Sequence, residues 1–324
     1  MREKSAKYPS IVFFGTPDFA AGILYYMIRK EIPVSGVVTA PDKPAGRGRK
    51  ILSPPVKTLA QQHEIPVLQP KNLKDPAFLS ALKQWNPELQ VVVAFRMLPE
   101  SVWALPELGT FNLHASLLPQ YRGAAPIQWA LINGETVTGV TTFFISHEID
   151  TGKIIFRKEV PIAPMDNAGT LTDKLMNKGA ELVTRTIEAI ITGNLELTDQ
   201  QTLDTDLLKK APKITREDTI INWNRRPTEI CNLIRGMSPS PGATTSIVTA
   251  EGIISRLKIY DASPRVKNHN LPVPSLVSDG KTFLDVAVPT GYVHLLELQL
   301  EGRKKLPVEE FLRGFRPETV KING

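Results

Sequence analysis

Through the first two thirds of the chain, short apolar runs take turns with segments of helical composition. Ile11 to Phe14 is an apolar run stopped by Gly15-Thr16-Pro17-Asp18, and Phe19 to Lys30 then reads as a helix, so the opening predicts strand, tight turn, helix. A second strand is expected at Val34 to Thr39. Ser53 and Pro54 supply an N-cap and a first-turn proline for a helix running to His63. Pro66 to Leu68 reads as a short strand, Asp75-Pro76 opens a helix to about Gln84, and Leu89 to Ala94 is an unbroken apolar strand expected to be covered on both faces. A further strand is expected from Val140 to Ile145. Thr170 to Asp173 resembles a capping box for a long helix with Leu171, Leu175, Leu182, Ile187 and Ile190 on or near one face and Gly193 as its stop.

The texture changes after that helix. Residues 194–211 are polar and aperiodic, as in a linker. Beyond Pro212, a strand at Ile220 to Trp223 and a helix at Pro227 to Met237 precede short strands near Ala243 to Val248, Leu257 to Ala262, Phe283 to Val288 and His294 to Gln299. Strands alternating with helices predict an α/β domain over residues 1–193, a Rossmann-like, doubly wound, mostly parallel sheet. Several short strands separated by turn residues predict a small OB-like β-barrel over residues 212–324. No internal repeat or low-complexity segment interrupts this order.

Composition adds limits. The chain has 324 residues, enough for two cores, with 42% hydrophobic and 22% charged residues, ordinary for a soluble protein. Cys231 is the one cysteine, so neither an internal disulfide nor a cysteine metal cluster can form. The histidines, His63, His114, His147, His269 and His294, show no paired ligand spacing, and no metal is expected. The polar N-terminus leads straight into the first strand with no run long enough for a signal peptide or membrane span, so a cytoplasmic protein without membrane contact is expected. The net charge of +6 is concentrated toward the C-terminus, where Ala211 to Gly324 holds 16 basic against 12 acidic residues. That bias permits an acidic partner such as nucleic acid without identifying one.

The candidate chemistry lies between Phe111 and Gly152. Asn112 and His114, two apart on an extended segment, project from the same face and can act on one atom. An amide donor beside an imidazole suits a carbonyl oxygen that turns negative during attack. Asp150 follows the strand from Val140 and is placed to fix the imidazole's tautomer and favour its cation. Taken singly, each residue has another reading: a structural histidine, a turn asparagine, a capping aspartate. Between the second strand and its helix runs Ala40-Pro-Asp-Lys-Pro-Ala-Gly-Arg-Gly-Arg-Lys50, a basic loop suited to phosphate contacts and equally compatible with a solvated surface. The first turn, Gly-Thr-Pro-Asp-Phe, is not Gly-x-Gly-x-x-Gly, so no dinucleotide is expected.

Together, Phe14-Gly-Thr-Pro-Asp-Phe-Ala20, the Ala40 to Gly48 loop, Asn112-Leu-His-Ala-Ser-Leu-Leu-Pro119 with Tyr121-Arg-Gly-Ala-Ala-Pro, and Asp150-Thr-Gly closely resemble the folate-dependent formyltransferases. Lys213-Ile214 and Ile221-Asn222-Trp223 extend the similarity into the second domain, toward members whose acceptor is a charged transfer RNA. The resemblance implies a formyltransferase fold, 10-formyltetrahydrofolate as formyl donor, and the methionyl amine of initiator tRNA as acceptor. It implies Asn112, His114 and Asp150 as the catalytic set, acting through a tetrahedral intermediate without a covalent nucleophile. It further implies Ser116, Leu117, Leu118 and Pro119 at the folate, Lys43, Arg47, Arg49 and Lys50 at the tRNA, a tRNA-binding barrel, and a monomer. Two segments depart from the family's pattern: Ala94-Phe-Arg-Met-Leu-Pro99 is a residue short, and Ser238-Pro-Ser-Pro-Gly-Ala lacks a usual aromatic.

Three rival readings stand beside this one. A small amino nucleotide or amino sugar in place of the tRNA would keep the catalytic set but leave the basic loop and barrel without purpose. Hydrolysis of the formyl-folate differs only in the nucleophile admitted, and a non-enzymatic RNA-binding protein would not need Asn112, His114 and Asp150 intact.

Overall fold

The computed structural model describes residues 8–45, 50–200, 207–249 and 251–323, which form two compact units. The first unit comprises the chain up to Gly123 with Val137–Pro161 and Thr172–Lys210; the second takes Ala124–Thr136, Ile162–Leu171 and the chain from Ala211.

In the first unit β1 (Ile11–Gly15), α1 (Asp18–Arg29) and β2 (Val34–Val38) follow the predicted order. The basic stretch is a hairpin where a plain loop was expected: β3 (Lys43–Ala45) pairs with β4 (Lys50–Leu52) in antiparallel register, Lys43 opposite Leu52. Next come α2 (Pro55–Gln62), β5 (Val67–Leu68), α3 (Pro76–Gln84), β6 (Leu89–Val93), α4 (Glu100–Trp103), β7 (Thr110–His114) and the two-residue β8 (Arg122–Gly123). After α5 (Pro126–Ile132), which belongs to the second unit, the sheet resumes with β9 (Val137–Phe144) and β10 (Ile154–Pro161), and α6 (Ala168–Thr192) follows. Asp75 caps α3 as expected, its carboxylate accepting the Ala77 N–H at 2.9 Å.

The sheet order is β10-β9-β7-β6-β1-β2-β5. The five strands from β7 to β5 are parallel, while β9 and β10 run antiparallel at one edge, so the mostly parallel sheet is confirmed. All five β6 residues are buried, as a strand covered on both faces requires.

Several boundaries move for physical reasons. Helix α2 begins one residue later than expected, with Pro54 as cap and Pro55 in the first turn, because adjacent prolines both suit positions that need no N–H. The cap of α6 is Asn167, a turn before the Thr170 box. Asn167 Oδ1 accepts the Thr170 N–H at 3.0 Å and Thr170 Oγ1 accepts the Asn167 N–H at 3.1 Å, so Thr170 answers the cap. The apolar face of α6 matches expectation: Leu171, Leu175, Leu182, Ile187 and Ile190 are all buried, and Gly193 ends it with φ +72°.

The second unit holds β11 (Lys210–Ala211) only in part, then α7 (Pro227–Gly236), β12 (Ala243–Thr249), β13 (Ile254–Val266), β14 (Ser275–Ser278), β15 (Leu284–Val288), β16 (Gly291–Leu300), β17 (Leu306–Pro307), α8 (Val308–Leu312) and β18 (Val320–Asn323). The order β14-β15-β16-β13-β12-β18 is antiparallel at every pairing with a registered partner, and its two end strands, β14 and β18, approach each other, which makes a nearly closed barrel. Trp223, Ile230, Ile234 and Met237 pack with barrel residues such as Leu257, Leu284 and Leu295 in one core. The strand expected at Ile220–Trp223 is absent. Ile220 makes a single bridge to Thr244, and an Asn222 turn, its Oδ1 accepting the Asn224 N–H at 3.0 Å, ends the pairing.

Candidate active site

Strand β7 places the first two residues. Phe111 and Leu113 are buried on one face of the sheet, so alternation turns Asn112 and His114 to the other. Register puts Asn112 in a row that crosses the sheet as Val38, Phe14, Val92, Asn112, Phe143. It is the single polar member of that row. Its amide Oδ1 is buried and has no hydrogen-bond partner among the described residues, a state that costs about 1–3 kcal/mol unless a partner arrives.

His114 is held from one side. Its Nε2–H donates to the Tyr121 carbonyl at 2.8 Å, which in the neutral ring leaves the lone pair on Nδ1. That nitrogen faces Asp150 Oδ2 at 3.9 Å, beyond hydrogen-bond length. The two side chains are 8% and 10% exposed, so little water screens them. The tautomer is therefore fixed by Tyr121, where Asp150 was expected to fix it, and Asp150 is left facing the free nitrogen.

Asp150 is itself constrained. Its Oδ2 accepts the Gly123 N–H at 3.0 Å, and its backbone lies in the left-handed region at φ +56°, which aspartate tolerates better than most residues. Within the same turn Thr151 Oγ1 donates to the Glu148 carbonyl at 3.1 Å. Gly152 admits no side chain, since a Cβ there would lie 1.7 Å from the Phe144 carbonyl oxygen. Sequence reasoning missed Tyr121, Gly123 and Gln200, whose contributions here are backbone groups or a side chain from the aperiodic stretch. The structure thus brings Asn112, His114 and Asp150 to one corner of one unit.

The Ser116–Pro119 loop follows β7 directly. Thr141 Oγ1 on β9 donates to the Ser116 carbonyl at 2.6 Å and accepts the Leu118 N–H at 3.2 Å. Ser116 is fully buried with its hydroxyl donating to the Gln120 carbonyl at 2.7 Å, and Leu118 packs with Phe143 and Ile154. Leu117 and Pro119 are half-buried. Of the four residues expected at the folate, these two keep accessible side-chain surface.

The basic hairpin leaves the carboxyl end of β2, the same sheet edge that β7 reaches with His114, because the two strands are parallel. Asp42 anchors its base, with Lys57 Nζ at 2.7 Å and Gln69 Nε2 at 2.8 Å. The Lys57 bond, then the Gln69 bond, holds the Asp42 carboxyl below its ordinary value. Lys43 is exposed. Arg47 and Arg49 lie outside the described residues, as does the side chain of Lys50.

Arg96, in the shortened segment, donates through Nη1 to the Lys71 carbonyl at 2.8 Å and through Nη2 to the Pro70 carbonyl. It borders a cavity of about 700 Å³ lined also by Lys71, Leu73, Met97, Leu98 and Pro99.

Comparison with known proteins places this architecture. The formyl transferase family matches residues 9–187, and the formyl transferase C-terminal domain matches residues 213–316. Methionyl-tRNA formyltransferase of Bacteroides fragilis is 52% identical over 306 residues, which is 94% of either chain. That of Azobacteroides pseudotrichonymphae is 52% identical over 314 residues, 96% of this chain and 97% of the relative. Among solved structures, HypX from Aquifex aeolicus in complex with tetrahydrofolic acid shares the fold at 18% identity with a TM-score of 0.62, across 95% of this chain and 48% of HypX.

Proposed function

The chain belongs to the methionyl-tRNA formyltransferase family, and from that membership we propose that it transfers the formyl group of 10-formyltetrahydrofolate to the α-amino group of methionyl initiator tRNA. The observation that carries the reaction type is the open corner at Asn112, His114 and Asp150: an unpartnered buried amide oxygen beside an imidazole whose Nδ1 is free and faces a carboxylate.

The neutral amine attacks the formyl carbon, a carbon–nitrogen bond forms, and the bond from that carbon to the folate nitrogen breaks. Asn112 offers an Nδ2–H donor to the formyl oxygen as it becomes negative, and its Oδ1 accepts an N–H of the attacking amine. His114 works through Nδ1, since Tyr121 occupies Nε2. As the imidazolium it donates to the oxyanion, and Asp150 stabilises that cation from 3.9 Å. The proton lost by the amine passes through this pair to the departing folate nitrogen, so no charge is left on the enzyme. Half-buried Leu117 and Pro119 line the folate's approach, with Ser116 and Leu118 shaping the loop beneath. Lys43, Arg47, Arg49 and Lys50 meet tRNA phosphates, and the barrel of residues 212–324 contributes the second tRNA surface.

The test is formyl transfer from 10-formyltetrahydrofolate with methionyl initiator tRNA, uncharged tRNA, and small amino nucleotides and amino sugars as acceptors. Transfer confined to the charged initiator is expected. Transfer to a small amine alone would overturn the acceptor, and formate release without any acceptor would overturn the transferase.

A further inference from the structure

One amide side chain ties together the two segments on which the candidate site depends. Gln200 Nε2 donates to the Asp150 carbonyl at 2.8 Å and to the Gly152 carbonyl at 2.9 Å. Its Oε1 accepts Arg122 Nη2 at 2.6 Å and Nε at 3.1 Å. All donors and acceptors of the amide that face these groups are engaged, and one acceptor serves a guanidinium, the stronger kind of bond. Gln200 is half-buried, and an isolated backbone bridge two residues earlier holds its segment: Thr198 and Ile154 exchange N–H to carbonyl bonds at 2.8 and 2.9 Å. The residue stands in the stretch that reads as a featureless linker, 50 positions from Asp150 and 78 from Arg122.

The consequences reach both catalytic side chains. Arg122 sits between Tyr121, whose carbonyl holds His114, and Gly123, whose N–H holds the Asp150 carboxylate. The other end of the clamp grips the backbone of Asp150 itself, where φ is +56° and the conformation needs support from its surroundings. We propose that Gln200 is a positioning residue for the formyl transfer: it sets the distance and direction of the Asp150 carboxylate relative to His114 Nδ1 by clamping the Asp150 turn to Arg122. The inference rests on the catalytic reading of Asp150 given above.

The full-length enzyme with Gln200→Ala or Gln200→Glu tests it. Glutamate still accepts from Arg122 but has no N–H for the two carbonyls, so it distinguishes a residue that merely occupies Arg122 from one that holds the turn. Both variants should lose roughly tenfold to a hundredfold in kcat, the scale of a small misplacement of a catalytic group, with KM for donor and tRNA within about twofold. In an Asp150→Asn background the same substitutions should cost under about twofold more, because the group they position has lost its charge. Amide exchange provides a readout independent of activity: Gly123 should exchange about tenfold faster in Gln200→Ala, while Leu113 in β7 is unchanged.

Wild-type kcat and Gly123 exchange in Gln200→Ala would overturn the proposal, as would rescue by glutamate or an undiminished loss in the Asp150→Asn background. Should the wild-type enzyme transfer no formyl group to methionyl-tRNA, the functional reading fails by itself, and Gly123 exchange still decides whether Gln200 holds the Asp150 turn.

Discussion

His114 with Asp150 in the first unit and His294 with Asp285 in the second are buried to a similar degree, at 8% and 10% exposure in one pair and 14% and 8% in the other. In the barrel pair both carboxylate oxygens are used: Asp285 Oδ1 meets His294 Nδ1 at 2.5 Å and Oδ2 accepts from Arg265 Nη1 at 3.0 Å. In the other pair the nitrogen and oxygen stand 3.9 Å apart, and Asn112, on the same face of β7 as His114, has an oxygen with no partner among the described residues. Burial and residue type are thus shared, while satisfaction differs. A closed polar cluster fixes a structure, and one held open at a cost leaves donors and acceptors free for a reacting group.

The strongest way to break this contrast is to truncate each histidine. His114→Ala or Asn112→Ala should lower kcat roughly a hundredfold or more, since each removes an oxyanion donor worth about 2.7–4 kcal/mol. Thermal midpoints should stay within a few degrees, because neither residue completes a closed network. His294→Ala should show the reverse, with kcat at saturating substrates nearly kept. Steady-state transfer and thermal unfolding on the same preparations decide it, and normal turnover by a folded His114→Ala variant would sink the catalytic assignment.

A somewhat smaller effect is expected from the carboxylates. Asp285→Ala strands His294 and removes the ion-pair partner that the Arg265 guanidinium has among the described residues, so the barrel should lose about 2–4 kcal/mol, read as a lower denaturant midpoint. Asp150→Asn keeps an oxygen for the Gly123 N–H and should cost under about 1 kcal/mol of stability while impairing transfer. Equal stability losses would mean that the two pairs serve the same purpose.

How far the sequence revealed each pair depends on what forms it. Asn112 and His114 were legible because alternation along one strand fixes their common face, and Asp150 because a motif carried it. The alternation of strands and helices in the sheet, and the later run of short strands, followed from periodicity, which is a local property. The holders of the site were not legible: Tyr121 and Gly123 act through backbone groups that any residue possesses, and Gln200 arrives from a polar stretch without periodicity. The missing strand at Ile220–Trp223 shows the same limit, since the apolar run there makes one bridge and no ladder. The barrel pair had a usable signal that went unread. Pro289-Thr290 joins β15 to β16 as a two-residue turn, with Val288 opposite Gly291, and that register alone sets Asp285 opposite His294.

The finest distinction concerns Arg265. Its side chain is 49% exposed, against 8% for Asp285, so water already solvates the guanidinium and its pairing should add little. Arg265→Gln is expected to destabilise the barrel by about 0.5–1 kcal/mol, and the difference from wild type should shrink between about 0.1 and 1 M salt as the screening length falls from roughly 10 to 3 Å. Denaturant titrations at both ionic strengths measure it. The size matters because it assigns the closure of the pair. If Arg265→Gln costs nearly nothing, the short His294–Asp285 bond closes the cluster by itself, and the sole structural difference from His114 and Asp150 is distance. If instead it costs as much as Asp285→Ala and resists salt, the arginine is what makes a buried carboxylate tolerable there. Asp150, which has no second ion-paired cation among the described residues, would then differ in that respect, and the open site would owe its availability to the missing charge more than to the 3.9 Å gap.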